Sequence, residues 1–409
     1  VEKMIKIINY RGPDDDGYYI ENNIGFGHCR LSIIDLTYAG HQPMKSCDNS
    51  LLIVYNGEIY NFVELRKELE TLGYKFKSNT DTEVILYSYK EWGENCVNKF
   101  NGDWAFAILD KNKKELFCSR DRFGVKPFYY FFDGKVFAFA SEIKSLLELG
   151  ISREVNPNLI YDFLIFGLLE HTNETFFKNV KKLPQSSWLK LNQKGEIVIK
   201  KFWDFEVSNE LNSNNERSTI YEQDFLELFT NSVKIRLRSD VPIGSCLSGG
   251  LDSSAIVCVI NDLLKKENVP NIGERLKTFS ACYEEKKVDE RSYIEEVITK
   301  TKAEKNYIFP DPEEFLKEIE DIVWHQEEPF GGTSMFAQWK VLKKAREKVK
   351  VLLDGQGGDE NLCGYRKFYF FYLKGLYERK KYSLFFKEFL QFFSSIDILK
   401  TLNLKSGFR

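Results

Sequence analysis

The feature that most limits how this chain can fold is a change in the period of its apolar residues across one polar stretch, DFEVSNELNSNNERS at 204–218. Before that stretch, short apolar runs alternate with turn signals: IGFGHCRLSIIDL, SLLIVYNGEIYNF, WAFAILD, LFCSRDRFG, PFYYFFDG and VFAFAS. Such runs read as β-strands. One clear helix interrupts them, NFVELRKELETLG, with Asn61 as N-cap and Gly73 just past its end. Another begins at Thr80-Asp81-Thr82 and carries EVILYSYKEWG. After the stretch, 219–238 fits an amphipathic helix, and strands then alternate with helices: VPIGSCLS, AIVCVINDLLKK, LKTFSACY, DERSYIEEVITKT, KNYIFP, two helical stretches over 312–348, and VKVLLDG. That alternation predicts a parallel sheet covered on both faces. The last run, KFYFFYLKGLYERKKYSLFFKEFLQFF, is helical in pattern and reads as core. The chain therefore divides into a β-rich unit at 1–203, a linker at 204–218 whose Asn- and Ser-rich composition suits one, and an α/β unit at 219–409.

Composition excludes several classes. The 58 Lys and Arg against 61 Asp and Glu leave a net charge of -3, with no positive excess to attract nucleic acid or an anionic bilayer. No apolar run reaches the roughly 18 residues of a membrane span, and the N-terminus lacks a signal peptide, so the expectation is a cytoplasmic protein with no nucleic-acid or membrane partner. Eight scattered cysteines without a CxxC pair read as reduced, buried thiols, and four histidines without metal-site spacing argue against zinc. The start at Val1 and the stop directly after an aromatic helical run are those expected of a fragment cut at both ends.

Ser248-Gly249-Gly250-Leu251-Asp252-Ser253-Ser254 follows a strand and opens a helix, where backbone N–H groups and the helix dipole favour an anion. The glycines let the backbone approach phosphate, and three serines can donate hydroxyls. Asp252 would repel phosphate unless a cation lay between them, and Mg²⁺ is the natural one. The loop lacks GK[ST] and is no Walker A motif. A second loop, Asp354-Gly355-Gln356-Gly357-Gly358-Asp359-Glu360, leaves the apolar strand VKVLL. Strand ends of this kind share one crevice in open α/β sheets, so Asp359 is expected to join Asp252 as a Mg²⁺ ligand.

SGGLDSS, DGQGGDE and the intervening EEPFGGTS are similar to the synthetase domain of glutamine-dependent asparagine synthetases, a PP-loop ATP pyrophosphatase fold. The first half resembles that family's glutaminase domain, an α+β fold of the N-terminal-nucleophile type with layered antiparallel sheets. RGPDDDG, RLSIIDL with GHQPM, YNGEIYN, SNTDTEV, FNGDWAFAI, RDRFGVKPFYY and ASEIKSL all occur in the family's order. The family's HRGPDD reads Tyr10-Arg11-Gly12-Pro13-Asp14-Asp15 here.

The resemblance implies ATP-dependent amidation of aspartate to asparagine through an aspartyl adenylate, with ammonia drawn from glutamine. Glutamine, aspartate and ATP are then the partners, Mg²⁺ the metal, and a homodimer is compatible with the family. Arg30 is implied to bind the glutamine α-carboxylate and Asp81 its ammonium, with Leu31, Ser32, Ile33, Ile34 and Glu58 around them. Asn56 and Gly57 are implied to stabilise the oxyanion of the tetrahedral intermediate. Backbone at Leu247 and Ala281 and the Asp354-Gly355 turn are implied to contact the nucleotide alongside Ser248–Ser254. Gln356 stands where many relatives have a glutamate credited with a role at the intermediate, and a neutral amide cannot abstract a proton. The family's nucleophile is an N-terminal cysteine, expected upstream of Val1; Cys29, embedded in FGHCRLS with no free amine beside it, is a poor substitute. Two alternatives remain: the same chemistry on a sugar or peptide-like acceptor, or a nucleotide-binding regulatory protein without catalysis.

Overall fold

The structure is a computed structural model that describes residues 1–206 and 219–394, so 207–218 of the linker and the last 15 residues lie outside the described residues. In the first half the strands are β1 (Asp15–Glu21), β2 (Ile24–Arg30), β3 (Met44–Lys45), β4 (Leu51–Ile59), β5 (Gly102–Asp110), β6 (Glu115–Arg120), β7 (Tyr129–Phe132), β8 (Phe137–Ala140), β9 (Lys181–Lys182), β10 (Ser187–Asn192) and β11 (Ile197–Lys201). Six of them form an antiparallel sheet in the order β11-β10-β6-β5-β4-β3, while β1-β2 and β8-β7-β9 form smaller sheets.

Alternation along the central strands sets the layers. Ile53, Tyr55 and Ile59 of β4 pack on Leu65 and Leu69 of the helix Phe62–Thr71 and on Val84 and Ile85 of the helix Asp81–Trp92. Leu52, Val54, Ala105 and Ala107 face the other way and meet Phe26 of β2 with Phe128 and Tyr130 around β7. Beyond that second sheet layer, Ile143 and Leu146 of the helix Ile143–Leu147 pack on Ala138 beside Met4 of the helix Glu2–Ile7. The unit is thus helix, sheet, sheet, helix, with the cores of both faces explaining why Leu51–Tyr55 is buried without a break.

Two details differ from the sequence reading. The run IGFGHCRLSIIDL is a strand only as far as Arg30, because the Arg30 guanidinium donates back to the carbonyls of Ile34, Asp35 and Thr37 and folds LSIIDLT over itself. Helices at Glu2–Ile7, Ile143–Leu147 and Pro157–Phe166 also break the β-rich pattern. The first two are too short to show a period, but the third carries ordinary end signals: Asn156 accepts the N–H of Asn158, Pro157 starts the helix, and Gly167 ends it with φ 66°.

In the second half β12 (Ile243–Cys246), β13 (Lys277–Ala281), β14 (Glu304–Ile308) and β15 (Val351–Leu353) run parallel in the order β14-β13-β12-β15. Val257, Ile260 and Leu263 of the helix Leu251–Lys266 cover one face with Ile294 and Val233. Val341 and Ala345 of the helix Ser334–Ala345 cover the other against Phe279. Successive connections run one way from β12 to β13 and β14, and the last strand returns to the opposite side, so the order reverses between β12 and β15. Their C-terminal ends therefore flank the crevice of an open α/β sheet.

The aromatic C-terminal run is not core. It forms two helices, Arg366–Glu378 and Tyr382–Ser394, in which Leu373 and Leu376 are buried while Phe371 and Tyr377 are 62% and 60% exposed. The rings instead pack on one another across the pair, Tyr377 against Tyr382 and Phe385. All eight cysteines are free, and two, Cys47 and Cys363, are exposed rather than buried. No described helix is long and apolar enough to cross a membrane.

Candidate functional site

Between the two sheet layers of the first half lies a cavity of about 490 Å³, lined among others by His28, Arg30, Asn56, Gly57, Glu58 and Asp81. The alternation of β2 places His28 and Arg30 on one side of the strand. Arg30 is buried, and its grip on the Ile34, Asp35 and Thr37 carbonyls fixes the guanidinium over Gly40, where a Cβ would lie 1.9 Å from Nη2. Leu31, Ile33 and Ile34 line the cavity as well. Ser32 is buried beside it, its N–H donating to Asp14 at 2.8 Å.

Asp81 opens the helix Asp81–Trp92, with Thr80 as N-cap accepting the Glu83 N–H at 3.2 Å. The Asp81 Oδ2 accepts the Tyr55 hydroxyl at 2.8 Å and the Ile59 N–H at 2.9 Å. Burial raises its pKa against the pull of those two donors. Burial raises the Glu58 carboxyl too, and the neighbouring Asp81 adds to the effect. Two desolvated carboxyls in one cavity favour a cationic ligand, whose charge would let them ionise.

The Asn56 Nδ2 is buried without a hydrogen-bond partner among the described residues. Such a donor costs about 1–3 kcal/mol while unpaired, so it is poised for an acceptor that the described residues do not supply. Gly57, with φ +155°, admits no side chain: a Cβ would sit 2.1 Å from the Asp103 carbonyl oxygen. His28 contributes the opposite polarity. Its Nε2 lies 3.0 Å from the Tyr55 carbonyl and so carries the proton, leaving Nδ1 a buried, unpaired acceptor. Burial lowers the His28 pKa to about 4, which keeps the ring neutral. The motif reading passed over His28, although its two-residue offset from Arg30 on one strand would have placed both on the same face. Cys29, on the alternate face, donates to the Ile5 carbonyl at 3.2 Å, and burial pushes its thiol up to about 11.

The second site sits at the reversal of strand order. Ser248–Gly250 leaves β12 and Leu251 starts the helix, with Gly249 at φ +87° turning the chain. Ser253 closes the turn: its hydroxyl accepts the Ser248 N–H at 3.2 Å and lies 3.0 Å from the Ser248 hydroxyl. The loop after β15 packs directly upon it. A Cβ on Gly355 would lie 3.0 Å from the Ser253 nitrogen, and one on Gly358 2.6 Å from Oδ2 of Asp252. Asp359, the next residue, lies in the first turn of the short helix Gly358–Leu362 and accepts the Gly364 N–H on its backbone carbonyl at 2.9 Å. Leu247 is buried with its N–H on the Phe279 carbonyl, Ala281 ends β13 beside it, and Ser254 continues the helix. Asp354 accepts the Gln356 N–H at 3.1 Å, and the Gln356 side chain is exposed at the mouth of the loop. Cys246, which the motifs did not single out, ends β12 against Asp354.

A glycine-turned loop at the strand-order reversal of a parallel sheet, following a layered antiparallel unit with a cavity of about 490 Å³, is the arrangement that the resemblance to glutamine amidotransferases predicts. Residues 1–203 match the family model described as a glutamine amidotransferase domain, and 224–404 match the one described as asparagine synthase. The chain is 39% identical over 388 residues to "Putative asparagine synthetase 2, glutamine-hydrolyzing" of Methanocaldococcus jannaschii, covering 89% of this chain and 72% of that protein. It is 36% identical over 365 residues to asparagine synthetase 1 (glutamine-hydrolyzing) of Bacillus subtilis, covering 89% of this chain and 55% of that protein. With amidase chyE of Penicillium rubens it shares 30% over 376 residues, covering 90% of this chain and 55% of that protein. The chain belongs to the glutamine-hydrolysing asparagine synthetase family, and it spans about half to three quarters of the length of these relatives.

Proposed function

We propose that this chain carries the glutamine site and the nucleotide loops of an asparagine synthetase. The supporting observation is the seating of the Asp354–Asp359 loop on Asp252 and Ser253, which puts two carboxylate-bearing loops at one strand-order reversal. In this reading the aspartate side-chain carboxylate attacks the α-phosphorus of ATP and expels pyrophosphate. Ammonia then attacks the acyl carbon of the adenylate, AMP departs, and a proton leaves to give asparagine.

Asp252 and Asp359 are the proposed Mg²⁺ ligands. The donors suit that ion, since two hard carboxylates on loops that pack together leave positions for phosphate oxygens and water. When bound, Mg²⁺ would neutralise phosphate charge. The backbone of Leu247 and Ala281, the Ser248–Ser254 turn and Asp354-Gly355 hold the nucleotide, and Gln356 orients the adenylate. In the cavity, Arg30 takes the glutamine carboxylate, Asp81 with Glu58 its ammonium, and Leu31–Ile34 its walls. The Asn56 amide and Gly57 backbone receive the oxyanion as glutamine is hydrolysed to glutamate and ammonia. Cys29 has neither the ionisation nor the direction of a nucleophile, and the reading assigns that role to no residue of 1–409.

The test is ATP–pyrophosphate exchange in the full-length gene product, with aspartate and ammonia. Aspartate-dependent exchange and asparagine as product support the reading. Exchange that ignores aspartate but responds to another carboxylate would transfer the same chemistry to that acceptor, an outcome for which the similarity to an amidase leaves room.

A further inference from the structure

The loop that cradles Arg30 is held from outside its own domain. Asp240 donates its N–H to the Ile33 carbonyl at 2.9 Å and accepts the Asp35 N–H on Oδ2 at 2.7 Å. Lys350 donates to Oδ2 of Asp14 at 2.7 Å, and the same oxygen accepts the Ser32 N–H at 2.8 Å. Burial would raise the Asp14 pKa, but its hydrogen bonds with Lys350 and Ser32 outweigh that and hold it low. The segment whose carbonyls fix Arg30 is thus tied to the second half of the chain directly at Ile33 and Asp35, and at Ser32 through Asp14.

Where the ties originate matters more than their strength. Asp240 lies three residues before β12 and Lys350 immediately before β15, and the Lys350 N–H joins the two starts through the Pro242 carbonyl at 3.1 Å. These are the same two strands whose far ends carry Ser248–Ser254 and Asp354–Asp359. At about 3.3 Å per residue, these strands span roughly 15–25 Å between the loops at their far ends and the residues that tie the loop around Arg30. The same ties extend toward Asp81, because buried Asp35 also accepts the Asn79 N–H at 2.8 Å, two residues before it. The path is an unbroken series of hydrogen bonds and strand, not spatial proximity alone.

We propose that Asp240 and Lys350 are positioning residues that couple the two sites, so that nucleotide seated on β12 and β15 aligns the Arg30 loop for its amino acid. This rests on the amidotransferase reading above. Coupling of this kind is reciprocal: the factor by which nucleotide tightens the amino acid is the factor by which the amino acid tightens nucleotide.

The experiment is calorimetry on the full-length gene product with L-glutamate, which carries the same α-carboxylate and ammonium as glutamine and is not turned over. Titrations run with and without an α,β-methylene analogue of ATP plus Mg²⁺. In the wild-type chain the analogue should tighten glutamate at least about fivefold. In the double variant Asp240→Ala, Lys350→Met the factor should fall below twofold, while the analogue's affinity measured alone stays within twofold. Asp240→Asn keeps an acceptor for the Asp35 N–H and should keep the coupling. Amide exchange at Ser32 and Asp35 supplies a second measurement: the analogue should slow it in the wild-type chain and leave it unchanged in the double variant. Binding of both probes without coupling, or coupling that survives the double variant, overturns this inference alone. A wild-type chain that fails to bind one of the probes overturns the amidotransferase reading, and this inference with it.

Discussion

The carboxylate of Asp252 lies so close to Gly358 that a Cβ at 358 would stand 2.6 Å from Oδ2. Gly358 needs no special backbone conformation, unlike its neighbour Gly357 with φ +90° and open space around it. The glycine at 358 therefore serves the approach of the two loops, and that at 357 serves the turn. Gly358→Ala should push Asp252 aside and weaken Mg²⁺–nucleotide binding at least tenfold, or about 1.4 kcal/mol, with little loss of thermal stability. Gly357→Ala should lower the melting temperature through strain at positive φ. Equal nucleotide affinities for Gly358→Ala and the wild-type chain would show that Asp252 has another position when nucleotide is bound.

Asp252→Asn and Asp359→Asn should each abolish ATP–pyrophosphate exchange in the full-length gene product. Removing a carboxylate ligand leaves phosphate charge less well neutralised, at a cost of several kcal/mol in the transition state. Glutamate binding to the Arg30 cavity, measured without nucleotide, should be unchanged in both. Near-normal exchange by either variant would remove that residue from the metal site.

Both loops proposed to hold nucleotide were legible in the sequence because their chemistry is contiguous: SGGLDSS and DGQGGDE each carry glycine and acid within seven residues just past a strand. Their meeting depends on the order β14-β13-β12-β15, which the alternation of strands and helices constrains without specifying. The cavity proposed to take glutamine was less legible. Arg30, Asn56 and Asp81 lie on three elements, and without the family resemblance each is an ordinary surface or turn residue. Tyr55, which holds Asp81 through its hydroxyl, reads in sequence only as a buried strand residue. Asp240 and Lys350 were not legible at all, since their role depends on how the halves dock. The aromatic C-terminal run misled for a related reason: composition reports the area available for burial, not the surface that covers it.

Cys29 should alkylate slowly. Its thiol is pushed up to about 11, whereas Cys47 and Cys363 are exposed. Burial keeps most of the Cys29 thiol protonated at pH 8, so iodoacetamide should label Cys47 and Cys363 well before it. Mass mapping of a time course reads the order directly. Cys29 labelled first would mean an activated thiol in the cavity and would reopen its candidacy as nucleophile.

Gln356 has an exposed side chain on the nucleotide loop, and an amide there can orient but cannot take a proton. If ammonia gives its proton to solvent or to the departing phosphate, Gln356→Glu should keep synthesis within about tenfold, roughly 1.4 kcal/mol. Gln356→Leu should do worse, because the adenylate then loses a hydrogen-bond partner. Steady-state asparagine formation from ammonia measures both. Equal, near-wild-type rates for Glu and Leu would place this side chain outside the reacting centre.

Glutamate binding in the cavity should release protons. In the empty pocket burial raises the Asp81 and Glu58 carboxyls, and for Glu58 the nearby Asp81 raises it further. A ligand ammonium favours their charged forms, so it lowers both pKa values on binding and expels whatever proton the pair still holds. The sign follows: affinity rises with pH through the raised pKa values, levels off once both carboxylates are ionised, and is lost as pH falls. Calorimetry in buffers of different ionisation enthalpy counts the protons, with net release expected on the acid side of the plateau. Tyr55→Phe removes the hydroxyl that stabilises ionised Asp81 and should move the rise in affinity to higher pH. Proton uptake on binding, or an unmoved profile in Tyr55→Phe, would mean that the ammonium is held by something other than Asp81.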